Sequence, residues 1–347
     1  MSLNRKLLDW YKNNRRDLPW RKTSDPYKIW ISEIILQQTR VDQGLHFYNR
    51  FINRFPTVFD LAKATMDEVM FYWKGLGYYS RARNLHFSAN FIVSNLNGEF
   101  PANFNDLLQL KGVGKYTAGA IASIAYKEAV PVVDGNVVRV YSRLFGIDLP
   151  FDTGKGKRLM EDVAQKHLAK NAPGDYNQAI MDFGAVQCTF QKPDCDNCIL
   201  KSQCYAFKNN MIAHLPVKSK RAKVKNRYFY FMVIQNEKNT YIEKREENDI
   251  WHSLYQFPLI ETLKRTSFNK IIENETFKNI FWGNEISFGR QSREIVHILT
   301  HQKLHARFYH IKIKDKLSFN GYREIAYEEL HTIPFPRLIE QYIENEF

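Results

Sequence analysis

All four cysteines of this 347-residue chain lie within one short segment. They are Cys188, Cys195, Cys198 and Cys204, spaced C-x6-C-x2-C-x5-C. Four thiols so close in sequence suit a single four-ligand metal centre, because a disulfide framework normally joins distant segments. One C-x2-C pair flanked by wider arms favours an iron–sulfur cluster over zinc, which usually takes two close pairs. Zinc and four unliganded thiols remain the alternatives for this loop at 188–204.

The charge balance predicts a polyanionic partner. Lys and Arg number 50 against 37 Asp and Glu, a formal net charge of +13, and nucleic acid is the usual partner of such a chain. A length of 347 residues with 44% hydrophobic content allows two domains with ordinary cores. No stretch resembles a membrane span or a secretory signal, so we expect an intracellular protein, and the absence of a targeting extension favours a bacterial cytoplasm.

The composition changes near residue 210. Residues 208–227 contain no acidic side chain, and basic residues gather around Pro216, as in an exposed linker that is either solvated or in contact with DNA phosphates. Apolar residues recur at helical spacing before this segment, whereas 228–234 and 240–244 have the pattern of strands. We therefore predict an all-α domain at 1–210, a basic linker at 211–227 and a mixed α/β domain at 228–347.

A carboxylate lies on the apolar face of one predicted helix. Asp25 and Pro26 mark the start of this helix as its N-cap and first residue, and Glu33 shares a face with Trp30 and Gln37. Partial burial beside an aromatic ring and an amide would raise the pKa of this carboxyl group and suit it to general acid catalysis near neutral pH. Considered alone, a solvated helix residue is the simpler interpretation.

Two further segments carry chemical signals. Gly112, Val113 and Gly114 join two helical patterns by a tight turn whose backbone N–H groups suit a phosphate, although an ordinary helical hairpin also fits. Asp134 precedes a helix that we expect to end at Gly146. As an N-cap, its carboxylate would accept backbone N–H bonds near the positive end of the helix dipole, and both effects favour the ionised form. An ionised carboxylate can stabilise a cationic transition state, whereas a simple helix cap is the alternative.

Together these segments resemble the helix-hairpin-helix DNA glycosylases that carry a [4Fe-4S] cluster, the superfamily of endonuclease III, and within it the MutY family. The matching motifs, in chain order, are RRDLPWR at 15–21, SEIILQQT at 32–39, GLGYYSRARNL at 75–85, VDGNVVRV at 133–140 and IWHSLYQFP at 250–258. The resemblance implies a helical glycosylase domain followed by a MutT-like (Nudix-fold) α/β domain. It also implies one [4Fe-4S] cluster on the four cysteines and a monomer that binds double-stranded DNA.

The resemblance implies removal of adenine paired with 8-oxoguanine or guanine, after the adenine is rotated out of the duplex. Glu33 would protonate the base at N7, and Asp134 would stabilise the oxocarbenium-like sugar until water completes hydrolysis. Tyr116 and Asn136 would position these two carboxylates. Further implied contacts with the adenine, the 8-oxoguanine or the DNA backbone come from Trp20, Arg21, Leu36, Gln37, Gln38, Tyr78, Gln178 and the three residues of the glycine turn.

One position predicts that this enzyme does not cut the DNA strand itself. Bifunctional relatives carry a Schiff-base lysine where this chain has Tyr116, and Lys115 lies one residue too early. One residue rotates a helical side chain by about 100°, so Lys115 should point away from the site that Tyr116 faces. A monofunctional glycosylase follows. The alternatives are an endonuclease III-like glycosylase with lyase activity and a non-catalytic iron–sulfur DNA-binding protein.

The second domain is expected to recognise 8-oxoguanine rather than to catalyse. It lacks the carboxylates of a Nudix box, so we do not expect a metal-dependent pyrophosphatase. The family's Phe-Ser-His loop is Leu299-Thr300-His301 here, which keeps a hydroxyl and a histidine but loses the aromatic ring, and the strength of 8-oxoguanine discrimination is therefore open. The neighbouring histidines follow a strand pattern around 305–313 and do not predict a metal site.

Overall fold

The chain divides into two units in this computed structural model. The structure describes residues 2–219, 224–246, 249–299, 301–317 and 321–347. The first unit comprises Met1–Ala64 and Asn84–Lys220, and the second comprises Thr65–Arg83 and Arg221–Phe347. The segment Thr65–Arg83 thus groups with the C-terminal part of the chain. Among the described residues, no helix is both long and apolar enough to cross a membrane.

Helices make up the regular structure of the N-terminal part, as the sequence predicts. They are α1 (Leu3–Asn14), α2 (Pro26–Leu36), α3 (Val41–Arg54), α4 (Val58–Lys63), α5 (Met66–Trp73), α6 (Ser80–Leu96), α7 (Phe104–Leu107), α8 (Lys115–Ala125), α9 (Gly135–Phe145), α10 (Gly154–His167), α11 (Pro173–Asp182) and α12 (Tyr205–Lys208). A π-helical turn, Phe183–Gln187, follows α11 directly. Of these helices, α5 belongs to the second unit.

The predicted helix starts are confirmed by their capping bonds. The carboxylate of Asp25 accepts a hydrogen bond from the Tyr27 N–H at 2.9 Å, and Pro26 is the first residue of α2. The carboxylate of Asp134 caps α9 in the same way, and α9 ends at Gly146, whose φ of 71° lies in the left-handed region that glycine adopts without a steric penalty. An N-cap of this kind contributes about 1 kcal/mol, so each carboxylate fixes where its helix begins.

The core of the first unit gathers the helices that carry the candidate site. Leu7 of α1, Ala120 of α8, Tyr141 of α9 and Ile180 of α11 are all buried in one apolar cluster. Burying one such large side chain stabilises the fold by roughly 1.5–3 kcal/mol. Three of the cysteines pack against the same cluster, so the cysteine segment rests on the helices that bear the predicted catalytic residues.

A mixed sheet forms the second unit. Its strands are β1 (Lys225–Asn236), β2 (Asn239–Lys244), β3 (Tyr255–Gln256), β4 (Leu259–Thr262), β5 (Ile286–Gln291), β6 (Ile295–Ile298), β7 (Gln302–Ile313) and β8 (Arg323–Ala326). The two long strands, β1 and β7, pair in parallel, while the other described pairings are antiparallel. The strands predicted at 228–234, 240–244 and 305–313 are confirmed by β1, β2 and β7.

Helices cover both faces of this sheet. The helices are α13 (Phe268–Ile272), α14 (Glu275–Ile280) and α15 (Arg337–Glu346). Because side chains alternate along a strand, Phe231 of β1 packs with residues of α15, whereas Met232 packs with residues of α13 and α14. β1 is buried on both faces, which explains its nearly continuous run of apolar residues.

Arg227 does not belong to an exposed linker, contrary to the sequence prediction. It lies in β1, is largely buried, and its guanidinium donates to the carboxylates of Asp249 and Glu261, each at 2.6 Å from Nη2. Arg245 donates to the same Asp249 carboxylate at 2.9 Å. Two facing carboxylates offset the cost of removing the Arg227 charge from water, and this pairing is not readable from a basic stretch of sequence.

Candidate active site

A cavity of about 150 Å³ lies in the first unit and brings the two predicted carboxylates together. Glu33 and Asp134 both line it. Six other predicted site residues line the same cavity: Trp20, Arg21, Leu36, Tyr116, Asn136 and Gln178. The sequence reasoning missed Arg16, Leu18, Ile29, Ser32, Thr39, Val41, Ile124 and Met181. Most of these are apolar or small and carry no chemical signal, although Arg16 could have been found as the neighbour of Arg21 in the RRDLPWR motif.

The surroundings of Glu33 favour the protonated form of its carboxyl group. It is only 6% exposed, and this burial raises the pKa of its carboxyl group, more than the Tyr116 hydroxyl and the Arg21 charge lower it. Its Oε2 atom has no hydrogen-bond partner among the described residues. The amide predicted beside it, Gln37, instead donates to the Thr117 hydroxyl at 3.3 Å. A carboxyl group with a raised pKa and an unpaired oxygen in a cavity is suited to donate a proton.

Asp134 is held more firmly than Glu33. Its Oδ1 accepts from the Val137 N–H at 2.8 Å, and its Oδ2 accepts from the Asn136 amide at 2.7 Å. The sequence predicted that capping would favour the ionised form, but the pKa of Asp134 is raised, because burial outweighs the bonds from Val137 and Asn136. The two donors nevertheless oppose this rise and engage both oxygens of Asp134, whereas Oε2 of Glu33 has no hydrogen-bond partner among the described residues.

A chain of hydrogen bonds connects Asp134 to the cysteine segment. Arg139 donates through Nη2 to the side-chain oxygen Oδ1 of Asn136 at 2.8 Å. Through Nε it donates to the backbone carbonyl of Cys188 at 2.7 Å. Gly184 packs against the same place, since a Cβ there would lie 2.7 Å from the Asn136 Cβ. The residues that orient Asp134 are therefore fixed by the start of the cysteine segment.

The glycine turn and the two residues after it adopt the predicted arrangement. Gly112 has a φ of 83°, and Gly114 precedes α8 with no side chain capping the helix. The N–H groups of the first turn of α8 are thus suited to an anion. Tyr116 lines the cavity, whereas Lys115 is 69% exposed and pairs with Glu161 at 2.8 Å, as the one-residue offset predicts.

The four thiols converge in the first unit. Burial raises the pKa of Cys195, and the charges of Cys188 and Cys204 add to this rise, as close neighbours do. Backbone and side-chain donors face the sulfurs: the Leu200 N–H lies 3.4 Å from the Cys198 Sγ, and an Arg143 N–H lies 3.5 Å from the Cys188 Sγ.

The donor set is compatible with the predicted iron–sulfur cluster. Over the described ranges, no three His, Cys, Asp or Glu side chains are grouped as ligands of one ion. A four-iron cluster needs a wider arrangement, with one thiolate on each iron, and N–H donors to sulfur are part of its usual surroundings. Four convergent thiols with such donors fit that group.

A second group of predicted residues lies in the second unit. Tyr78 and His301 line a cavity of about 610 Å³ together with Trp251 and Arg83, while Thr300 falls outside the described residues. Tyr78 is 49% exposed, so it is not a core residue.

The φ of 46° at Tyr78 and the φ of 58° at Gln38 are unusual for side-chain-bearing residues, and such backbone strain is concentrated at functional sites. Gln37 and Gln38 do not line the 150 Å³ cavity.

Comparisons with known proteins agree with both units. Residues 31–166 match the family model of the HhH-GPD superfamily base excision DNA repair protein, and residues 229–345 match that of the NUDIX domain. A curated relative, the adenine DNA glycosylase of Buchnera aphidicola subsp. Schizaphis graminum, is 36% identical over 79% of this chain and 80% of its own length.

Solved structures resemble the helical part. A thermostable thymine-DNA glycosylase is 30% identical with a TM-score of 0.55, over 59% of this chain and 95% of that one. An endonuclease III in a non-covalent complex with DNA has a TM-score of 0.52 at 23% identity, over 60% of this chain and 94% of that one, which supports the fold alone.

The close packing of Gly184 gives a stability prediction. Gly184→Ala forces a Cβ against Asn136, and such overpacking should lower the free energy of unfolding by about 1–3 kcal/mol. Gly154→Ala is the matched control, because a Cβ at Gly154 meets nothing within 4 Å. Denaturant unfolding of both variants and the parent protein measures the difference, and equal midpoints for the two variants would contradict the packing.

Proposed function

The chain belongs to the adenine DNA glycosylases of the helix-hairpin-helix base excision repair superfamily, and we propose that it removes adenine paired with 8-oxoguanine or guanine in double-stranded DNA. The observation that carries this proposal is the pair of carboxylates in one cavity. Glu33 has an unpaired oxygen and a raised pKa, while Asp134 is held by two hydrogen-bond donors. Two carboxyl groups in different surroundings can divide the roles of acid and charge stabiliser.

Glu33 acts as the general acid in this proposal. Rotating the adenine out of the duplex costs a few kcal/mol and delivers it to the cavity. Glu33 then donates its proton to N7 of the adenine. Protonation makes the base a better leaving group, so the C1′–N9 bond breaks and its electron pair leaves with the adenine.

Asp134 stabilises the positive charge that develops on the sugar as this bond breaks. The Val137 N–H and the Asn136 amide hold its two oxygens in place, so the carboxylate needs little rearrangement during the reaction. Water then adds its oxygen to C1′ and gives up a proton, which leaves an abasic site. With Tyr116 at the cavity and Lys115 paired with Glu161, we propose that no Schiff base forms and that the enzyme is monofunctional.

The DNA-binding groups in this proposal come from both units. The turn at Gly112, Val113 and Gly114 binds a backbone phosphate, and Gln38 lies beside the 8-oxoguanine. In the second unit, Tyr78 and His301 recognise the 8-oxoguanine strand, together with Thr300. Because Leu299 replaces an aromatic residue, we expect discrimination of 8-oxoguanine from guanine to be weaker than with a stacking ring in that loop. We further propose a monomer with domains at 1–210 and 228–347 and a connecting segment at 211–227, the last residues of which, Lys225 to Arg227, already belong to β1.

We propose one [4Fe-4S] cluster on the four cysteines. When bound, it supplies four strong bonds that hold the turns of the 188–204 segment together, and it thereby supports a basic loop that carries Lys192 and Lys201. The thiols must remain reduced to bind it, which suits a reducing compartment such as the bacterial cytoplasm.

The pH dependence of adenine release should be bell-shaped. Glu33 must be protonated, so its contribution is complete below its raised pKa and is lost as pH rises through that value. Asp134 must be ionised, so the rate falls again as pH drops through its own raised pKa. Glu33→Gln should lower the single-turnover rate by about 10²–10⁴-fold and remove the alkaline limb. Glu99→Gln, the same change at an exposed carboxylate, should leave the profile unaltered.

Duplex specificity tests the proposed substrate directly. Single-turnover assays compare adenine opposite 8-oxoguanine, adenine opposite guanine, and thymine glycol opposite adenine. We expect release of adenine, fastest opposite 8-oxoguanine, with strand breaks that appear only after alkali treatment because Lys115 is exposed and pairs with Glu161. Spontaneous breaks at the oxidised pyrimidine would favour the lyase, and no base release from any duplex would favour the non-catalytic DNA-binding protein.

Metal content tests the cofactor. Purification without oxygen should yield about four irons and four sulfides per chain, whereas a zinc site would yield about one zinc. Cys198→Ser should lower the iron content and the midpoint temperature of thermal unfolding, because one ligand is lost. Ser202→Ala, in the same segment but without a ligand, is the control and should retain the iron.

A further inference from the structure

Arg21 forms the centre of a hydrogen-bond network in the wall of the 150 Å³ cavity. Its side chain is only 7% exposed. Its Nη1 lies 2.6 Å from the Tyr11 hydroxyl and 2.7 Å from Oε1 of Gln178, and its Nη2 lies 2.9 Å from Oδ1 of Asp182. The Tyr11 hydroxyl is itself 2.7 Å from Oε1 of Gln178. These residues come from α1, the turn before α2, and α11, so the network joins three separate parts of the first unit.

The donors and acceptors of this network can be assigned without ambiguity. A guanidinium only donates, so Tyr11 and Gln178 must both accept from Arg21. The Tyr11 hydroxyl oxygen is then an acceptor towards Arg21, and its own hydrogen goes to Gln178. The Gln178 atom that meets these two donors is therefore the carbonyl oxygen. A flipped amide would place N–H groups against the Arg21 N–H groups, which is repulsive.

This assignment fixes what Gln178 offers to the cavity. Gln178 lines the cavity, and its amide N–H groups donate to no acceptor among the residues the structure describes. With the carbonyl engaged by Tyr11 and Arg21, the N–H groups are the part of the side chain that remains for a ligand. The wall at Gln178 is therefore a hydrogen-bond donor and matches an acceptor atom on the bound base.

Asp182 keeps the centre of the network in place. It is fully buried, and its Oδ1 accepts from Nη2 of Arg21 and from Nε of Arg16, both at 2.9 Å. A buried guanidinium without such a partner would be strongly destabilising, so Asp182 lets Arg21 remain in the cavity wall. The carboxylate accepts from Nη2 of Arg21, whereas Tyr11 and Gln178 accept from Nη1.

We propose that Tyr11 is a positioning residue for base recognition, which with Arg21 locks the Gln178 amide so that its N–H groups bind a ring nitrogen of the adenine. The inference rests on the proposed function, because it concerns the same base in the same cavity. Glu33 takes N7 in that mechanism, so the acceptor for Gln178 is N1 or N3. Tyr11 does not touch the base. It acts through the orientation of Gln178.

Adenine analogues that lack one hydrogen-bond acceptor test whether Tyr11 orients the Gln178 amide, an arrangement that we call the lock. Duplexes carry adenine, 1-deazaadenine or 3-deazaadenine opposite 8-oxoguanine, and single-turnover rates are measured for the parent protein, Tyr11→Phe and Tyr27→Phe. In the parent protein, one analogue should react about three- to tenfold more slowly than expected from the intrinsic reactivity of the base, because one hydrogen bond is missing. That penalty should be smaller in Tyr11→Phe, because Arg21 alone then holds the Gln178 carbonyl and the amide is less firmly oriented towards the missing acceptor.

Tyr27→Phe is a matched control. Tyr27 is also a buried tyrosine of the first unit, and its hydroxyl donates to the Phe55 carbonyl at 2.7 Å, away from the network. A general loss of stability affects both variants, but only Tyr11→Phe should change the penalty for the analogue. Intrinsic differences between the bases cancel, because each analogue is compared across proteins.

Two outcomes would overturn the lock: an analogue penalty in Tyr11→Phe equal to that of the parent protein, or no penalty in the parent protein for either analogue. If Tyr11→Phe does not fold, Gln178→Met replaces it, since it removes the donor outright and must abolish the penalty. Affinities for duplexes with uncleavable 2′-fluoro nucleosides of the same three bases are measured in parallel. A protein that releases no adenine but shows the acceptor penalty in binding would refute the proposed function and retain the lock.

Discussion

The removal of Glu33 and Asp134 from water is the constraint on which the rest of the site depends. Burial alone raises the pKa of both groups, so their different roles must come from their neighbours. Asp134 receives two hydrogen bonds that stabilise a negative charge, whereas one oxygen of Glu33 receives none from the described residues. Arg21 adds a positive charge near Glu33, and Asp182 balances it. Each supporting residue therefore adjusts the balance between a proton-bearing and a charged carboxyl group.

Two arginines connect the surroundings of Asp134 to the cysteine segment by hydrogen bonds. Arg139 joins Asn136 to the Cys188 carbonyl, and Arg143, which is almost completely buried, donates to the backbone carbonyls of Thr189 and Phe190. Both arginines lie on α9, the helix that Asp134 caps. The path of the chain into the cysteine segment and the orientation of Asp134 thus depend on one helix.

The sequence predicted local features better than those that depend on distant partners. The caps at Asp25 and Asp134, the strands β1 and β2, and the opposite directions of Lys115 and Tyr116 follow from spacing along the chain, and all are present. The direction of the Asp134 pKa shift was wrong, because a capping pattern does not reveal how much protein covers the carboxylate.

Residues that act through distant partners were missed for the same reason. The role of Tyr11 depends on Gln178, which is 167 positions away, and Arg227 is buried only because Asp249 and Glu261 face it. The residues that line the cavity range from Arg16 to Met181, and α11 contributes Gln178 and Met181. During synthesis, a chain that already contains Glu33 and Asp134 still lacks the α11 part of this wall. It also lacks the Gln178 carbonyl that accepts hydrogen bonds from Tyr11 and Arg21. The order of elements along the chain therefore delays completion of the cavity until α11 has emerged, so unfinished chains carry the two candidate catalytic carboxylates without the part of the cavity wall that α11 contributes.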